Sequence, residues 1–172
     1  MAGCPAPSSA LVLGARATAS SALAALGELG ITSSTVAARR FGGPGSVVAA
    51  ASRLGVTIEQ VLWSDTAAVD RAAASADLVI STLPASAADP LAGRLRVREG
   101  QILLDVVYSP RDTALRSAFE SAGGVVAEGT DMLVFQAAAQ VQLMTGRSPD
   151  TDVMREALEE ELERRSQEGS AP

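Results

Sequence analysis

The chain has 172 residues, 47% of them hydrophobic but only 3% aromatic, which predicts a single domain whose core is Ala, Val, Leu and Ile packed between close-lying layers. A net charge of −6 excludes a protein whose business is coating nucleic acid with basic surface. All 14 cationic residues are Arg, with no Lys and no His, so chemistry that needs a lysine or histidine acid/base is not completed within these residues.

Residues 1–8, MAGCPAPS, read as a flexible lead-in. The lone Cys4 makes no internal disulfide and fits a reducing cytoplasm. No basic region precedes the first apolar stretch, and Arg16 and Glu28 interrupt it, so neither a signal peptide nor a membrane span is expected and the chain reads as soluble and cytoplasmic. Leu11 to Leu13 reads as a strand, followed by a helix from about Thr18 to Leu29 that Gly30 ends. Thr35 to Ala38 is a second strand, FGGPG at 41–45 a loop, Ser46 to Leu54 a helix, Val56 to Ile58 a short strand, and Ala67 to Ala74 a helix. Asp77 to Thr82 and Gln101 to Val107 have the continuous apolar character of strands buried on both faces. Thr113 to Ala122 is helical, Gly124 to Ala127 a strand, and Asp131 to Met144 and Asp152 to Arg165 are helices. The last of these sets Met154, Leu158 and Leu162 on one face, with Glu160 to Arg164 and Glu161 to Arg165 as i,i+4 pairs. Residues 166–172, SQEGSAP, read as a disordered tail, leaving 9–165 as the domain. Alternating strands and helices predict an α/β fold of Rossmann-like type: a doubly wound, mostly parallel six-stranded sheet with helices on both faces. No internal repeat and no metal-ligand spacing is present, so no metal is expected.

The first strand, Gly14 and the helix after it form the opening of a dinucleotide-binding unit, in which helix amides and dipole attract a diphosphate. Gly14 keeps the role of the first glycine of the turn, while Arg16 and Ala17 stand where two further glycines are expected. Three readings stay open. Arg16 swings outward and clamps the diphosphate, or it blocks the site, or the turn binds nothing. The second strand ends Ala37-Ala38-Arg39-Arg40 with no carboxylate for a ribose hydroxyl, which favours NADP over NAD; the alternative is that these are solvated surface charges.

The stretches LVLGARATASSALAALGELGITSSTVAARR, ADLVISTLPA, LLDVVYSP and EGTDMLVFQAAAQVQLMTG together resemble the cofactor-binding half of shikimate dehydrogenase, over about residues 9–160. The most specific parts are the D-x-x-Y-x-P of Asp105 to Pro110 and the G-x-x-M-L-x-x-Q of Gly129 to Gln136. The resemblance implies an oxidoreductase of aromatic amino-acid biosynthesis that reduces 3-dehydroshikimate to shikimate with NADPH. It also implies that an N-terminal substrate domain, with a catalytic Lys-Asp pair, is absent from this sequence, either because the sequence is an excised domain or because it is a natural short relative. Carried over by position, Gly14, Arg16 and Ala17 form the phosphate turn, Arg39 faces the adenosine 2′-phosphate with Arg40 beside it, and Thr82 adjoins the cofactor. Val107, Gly129 and Met132 border the nicotinamide, and Tyr108 and Gln136 reach toward the substrate, the Gln136 amide needing partners in so apolar a helix.

Three departures bear on this. The glycine-rich loop has become Gly14-Ala15-Arg16-Ala17, Ala38 replaces the asparagine that commonly precedes the arginine, and Asp131 brings a carboxylate next to the expected nicotinamide pocket. Asp131 is expected to cap the long helix as its N-terminal residue. Trp63 and Phe135 are expected to be buried anchors, and Met132 and Leu133 equally fit a core. Tyr108, the sole phenol, has no lysine to lower its pKa and is a poor proton donor at neutral pH. The chain alone is therefore expected to bind NADP(H) without turning over substrate, which it would meet only with the missing domain. Two other readings remain: a non-catalytic interaction or regulatory module that has lost the cofactor, and an NADP reductase of another substrate. Neither nucleic acid nor membrane is an expected partner, and the oligomeric state and the choice between shikimate and quinate are left open.

Overall fold

A computed structural model describes residues 6–43 and 45–168. Cys4, most of the expected lead-in and residues 169–172 of the expected tail lie outside the described residues. Residues up to Ala127 form one compact unit and those from Glu128 a second.

The chain order of the first unit is β1 (Ala10–Leu13), α1 (Ala17–Glu28), β2 (Ser33–Ala38), α2 (Val47–Leu54), β3 (Thr57–Leu62), α3 (Thr66–Ser75), β4 (Leu78–Ser81), α4 (Asp89–Ala92), β5 (Ile102–Asp105) and α5 (Ala114–Ser121), and all but the last residue of β6 (Val125–Glu128) belongs to it as well. The six strands make one sheet in the order β3-β2-β1-β4-β5-β6. The four ladders of defined register, β1 with β2, β1 with β4, β2 with β3 and β4 with β5, are parallel. The doubly wound α/β architecture expected from the alternation is the one observed.

Strand geometry explains the two-layered core. On β1, Ala10 and Val12 point to one face, where they meet Ala19, Leu23 and Leu26 of α1 and Val47 and Ala51 of α2. Leu11 and Leu13 point to the other, packing with Val69 and Ala73 of α3 and Leu115 and Phe119 of α5. Both faces of a central parallel strand are covered, which is why β1 and β4 have no polar residue before Ser81. Side chains set the starts of three helices: Ser46 accepts from the Ala49 amide, Asp65 from the Ala68 amide at 3.0 Å, and Thr113 from the Arg116 amide at 3.1 Å.

Gln101 is 2% exposed yet fully satisfied. Its Nε2 donates to the carbonyls of Ala73 and Ala76, both at 2.7 Å, and its Oε1 accepts from the Arg98 amide at 3.1 Å, tying the end of α3 to the entrance of β5. Nearby, the Asp77 carboxylate accepts from the Ser8 hydroxyl at 2.8 Å, the Ser8 amide at 3.0 Å and the Ser9 amide at 3.2 Å. These bonds, those to Ser8 first, hold the Asp77 carboxyl well below its ordinary 3.8 and anchor the segment entering β1.

Several elements depart from expectation. β3 runs to Leu62, four residues beyond Ile58; it is an edge strand whose Glu59 and Gln60 are exposed, so no apolar run marks it. α4 is a single turn beginning Asp89-Pro90, too short to show a period; buried Leu91 holds it to the core.

In the second unit, α6 (Gly129–Thr145) ends at Gly146 in the left-handed conformation and α7 (Thr151–Glu168) follows. α7 continues past Arg165, where the tail was expected to begin. Asp131 is not the helix cap: α6 starts two residues earlier, with Glu128 in the cap position. Asp131 Oδ1 instead accepts from Arg155 Nε at 3.1 Å and Nη2 at 2.9 Å, a pair that links α6 to α7 and holds the Arg155 guanidinium above its usual pKa. Glu161 takes both Arg164 and Arg165, which lowers its carboxyl to about 2. Met154, Leu158 and Leu162 form the expected half-buried stripe. Phe135, read as a buried anchor, is 58% exposed, because a helix apolar all round does not declare its buried side.

Candidate functional site

A cleft of about 530 Å³ opens at the carboxyl ends of the strands, across the point where the chain turns from β1 to β2 on one side and to β4 on the other. That switch point is where open α/β sheets place ligands. Gly14, Ala15 and Arg16 line it after β1, and Ala38, Arg39 and Arg40 at the end of β2. Trp63 lines it after β3, and Thr82, Leu83, Pro84 and Ala87 after β4.

Gly14 is held at φ +111, and its amide donates to the Ala37 carbonyl at 2.9 Å. A Cβ on Gly14 would stand 2.2 Å from Thr82 Oγ1, itself bonded to the Leu13 carbonyl at 2.7 Å. The glycine is thus required by the wall behind it. The turn it makes delivers the chain to α1, whose cap residue Arg16 makes no side-chain cap bond, leaving the first amides of the helix available to an acceptor. Ala17 is the first residue of α1 and, having a methyl only, does not cover those amides.

Arg16 does not plug the turn. It is exposed, and its Nη1 lies 3.6 Å from where a Cβ on Gly43 would be. The loop it approaches is tied to the turn by the Val47 amide, which donates to the Ala15 carbonyl at 3.2 Å. Arg39 and Arg40 are exposed at the end of β2. Among the described residues none of these three guanidinium groups has a hydrogen bond or ion pair; the same is true of Arg53, Arg71, Arg96 and Arg147, which lie outside the cleft, while Arg94, Arg98, Arg155 and Arg165 have acidic partners.

Of the expected site residues, the structure therefore gathers Gly14, Arg16, Arg39, Arg40 and Thr82 into one cleft, with Ala17 directly behind. Val107 and Tyr108 follow β5 and are not among the cleft-lining residues. Their loop is shaped by buried Asp105, which accepts from the Val107 amide at 3.2 Å and the Thr113 hydroxyl at 2.7 Å. Tyr108 is 42% exposed. In the second unit, Gly129, Met132 and Gln136 fall at helical spacing on one face of α6; Gln136 is exposed, so its amide needs no protein partner. The sequence reading missed Leu83, Pro84 and Ala87 as lining residues and took Trp63 for a buried anchor when it is half-buried at the cleft. For Trp63 the signal was its place at a strand end, hidden by the misread length of β3.

Strand order, switch-point cleft and strand-glycine-helix turn define a Rossmann-like α/β protein. Residues 129–159 match the family model described as Shikimate 5′-dehydrogenase C-terminal domain. The shikimate dehydrogenase (NADP(+)) of Oleidesulfovibrio alaskensis is 34% identical over 145 residues, which is 80% of this chain and 48% of that protein. The crystal structure of Mycobacterium tuberculosis shikimate dehydrogenase superposes with a TM-score of 0.76 at 39% identity, covering 85% of this chain and 55% of that one. That of the Thermus thermophilus enzyme in complex with NADP(H) and shikimate gives 0.65 at 28% identity, covering 86% and 53%. This chain is related to the shikimate dehydrogenases, and it spans about half the length of the relatives it matches.

Proposed function

We propose that the cleft binds NADP(H) and that the chain is the cofactor-binding part of a shikimate dehydrogenase-like oxidoreductase, interconverting 3-dehydroshikimate and shikimate. The observation that carries this is the set of three unpartnered guanidinium groups, Arg16, Arg39 and Arg40, gathered on one cleft of a chain whose net charge is −6. Unpaired like charges are costly to hold together and call for an anion of several charges. A dinucleotide with an extra ribose phosphate supplies that.

Each residue has a part that follows from its place. The amides at the start of α1 and the Arg16 guanidinium bind the diphosphate, with Gly14 supplying the turn and Ala17 leaving the amides uncovered. Arg39 takes the 2′-phosphate with Arg40 beside it, and Thr82 keeps Gly14 in position. By the resemblance, Val107, Gly129 and Met132 border the nicotinamide, while Tyr108 and Gln136 serve the substrate. The cofactor when bound supplies the hydride. Protonating the resulting alkoxide needs an acid near neutral pKa, and with no Lys or His these 172 residues do not provide one. We place the protein in the cytoplasm, in keeping with a single Cys; among the described residues no helix is long and apolar enough to cross a membrane.

Calorimetric titration with NADPH and NADH tests the reading. Micromolar-range NADPH binding is expected, with NADH weaker by at least about tenfold, the loss of one or two charge-assisted hydrogen bonds. Arg39→Ala is expected to erase the difference. Equal affinities in the unaltered chain would refute the Arg39 assignment, and no binding of either at millimolar concentration would favour a non-catalytic module.

A further inference from the structure

We propose that Trp63 is the stacking platform for the purine base of the nucleotide, and so a specificity-determining residue of the cleft; this rests on the reading of the cleft as an NADP(H) site.

The chain has five aromatic residues, and Trp63 alone of them lines the cleft. Its position is fixed from two sides. The Trp63 amide donates to the Ala38 carbonyl at 2.9 Å, which continues the β2 with β3 ladder by one step and puts the indole next to the strand end that carries Arg39. The side chain also packs against the core cluster beneath the sheet end that includes Val61 and Ala37. A half-buried indole anchored in this way presents its remaining surface to the cleft without needing to reorganise. Leu83, Pro84 and Ala87 add an apolar wall. The cleft therefore joins a cationic part to an apolar aromatic part, and the first suits ribose and diphosphate groups while the second does not. A flat, uncharged heteroaromatic base suits the second, through base–indole stacking, and Arg39 and Arg40, at the end of the neighbouring strand β2 and lining the same cleft, are placed to add a cation–π contact to that base.

The nicotinamide is also a flat ring, so the probe must lack it. Adenosine 2′,5′-bisphosphate has base and phosphates without nicotinamide, and inorganic pyrophosphate has no base. With the full chain, adenosine 2′,5′-bisphosphate is expected to perturb the emission of this single tryptophan and pyrophosphate to leave it unchanged. By calorimetry, Trp63→Ala is expected to weaken the bisphosphate about tenfold, or ~1.4 kcal/mol, Trp63→Phe less than about threefold, and neither substitution to alter pyrophosphate binding. An unperturbed emission at saturating bisphosphate, or unchanged affinity in Trp63→Ala, overturns the role of Trp63 while the cleft reading stands. A chain that binds neither ligand overturns the cleft reading and this inference with it. If circular dichroism shows that Trp63→Ala does not fold, the emission titration of the unaltered chain decides alone.

Discussion

Replacing Gly14 by alanine tests whether the turn after β1 is built against β4. The added methyl would sit 2.2 Å from Thr82 Oγ1, a separation no pair of such atoms tolerates, so the hydroxyl must leave its 2.7 Å bond to the Leu13 carbonyl. Losing that bond costs about 1 kcal/mol, and holding a non-glycine residue at φ +111 costs about 1–3 kcal/mol more. Gly14→Ala is therefore expected to lose about 2–4 kcal/mol in urea unfolding followed by circular dichroism. Thr82→Ala removes the colliding oxygen, and the next atom, the Thr82 Cβ, is at an ordinary 3.5 Å. The double variant should then be less destabilised than the sum of the two single ones by about 1 kcal/mol, the backbone strain remaining. Strictly additive losses, or a Gly14→Ala chain as stable as the original, would refute a turn fixed by this contact.

Gln101→Met leaves the Ala73 and Ala76 carbonyls without the amide they receive and should cost about 1–3 kcal/mol in the same assay; Gln101→Glu should cost more, because its carboxylate would face two carbonyl oxygens. Asp77 is a carboxylate whose folded pKa is depressed by Ser8 and Ser9, so its contribution is fully present above the unfolded value near 3.8 and is lost as pH falls below it. Unfolding at pH 6 should thus find Asp77→Asn less stable than the original chain, and unfolding near pH 2.5 should find the gap reduced; a gap independent of pH would refute the role of ionised Asp77. Turnover of shikimate by these 172 residues alone is expected to be undetectable by NADPH absorbance, and turnover at rates typical of a dehydrogenase would contradict the account of where the acid lies.

The elements around the cleft were the readable ones. Central strands are covered on both faces, so β1 and β4 announce themselves as unbroken apolar runs, and a positive-φ glycine between strand and helix leaves a clear mark at Gly14. Arg39 and Arg40 were legible because charge directly after a buried strand has few structural uses. What stayed hidden had mixed exposure. β3 alternates irregularly at the sheet edge, and with it went the placement of Trp63. The start of α6 was misread because Asp131 has the chemistry of a cap, but its partner Arg155 is 24 residues away, a relation that local pattern does not encode. Tyr108 and Gln136 are assigned to the substrate by motif resemblance alone, and nothing in their spacing marks them.

The exclusive use of arginine gives the cleft one more property. A guanidinium keeps its proton over the whole working range of a protein, and Gly14, Ala15, Ala38, Trp63, Thr82, Leu83, Pro84 and Ala87 add no ionisable side chain. The lining of the cleft accordingly has no side chain that changes charge between about pH 5 and 8. If NADP(H) is the ligand, as proposed, variation of its affinity between pH 5 and 8 belongs to the ligand, whose ribose 2′-phosphate monoester takes up its second proton at about pH 6, so that the protein would act as a fixed-charge gauge of the ionisation of its own guest.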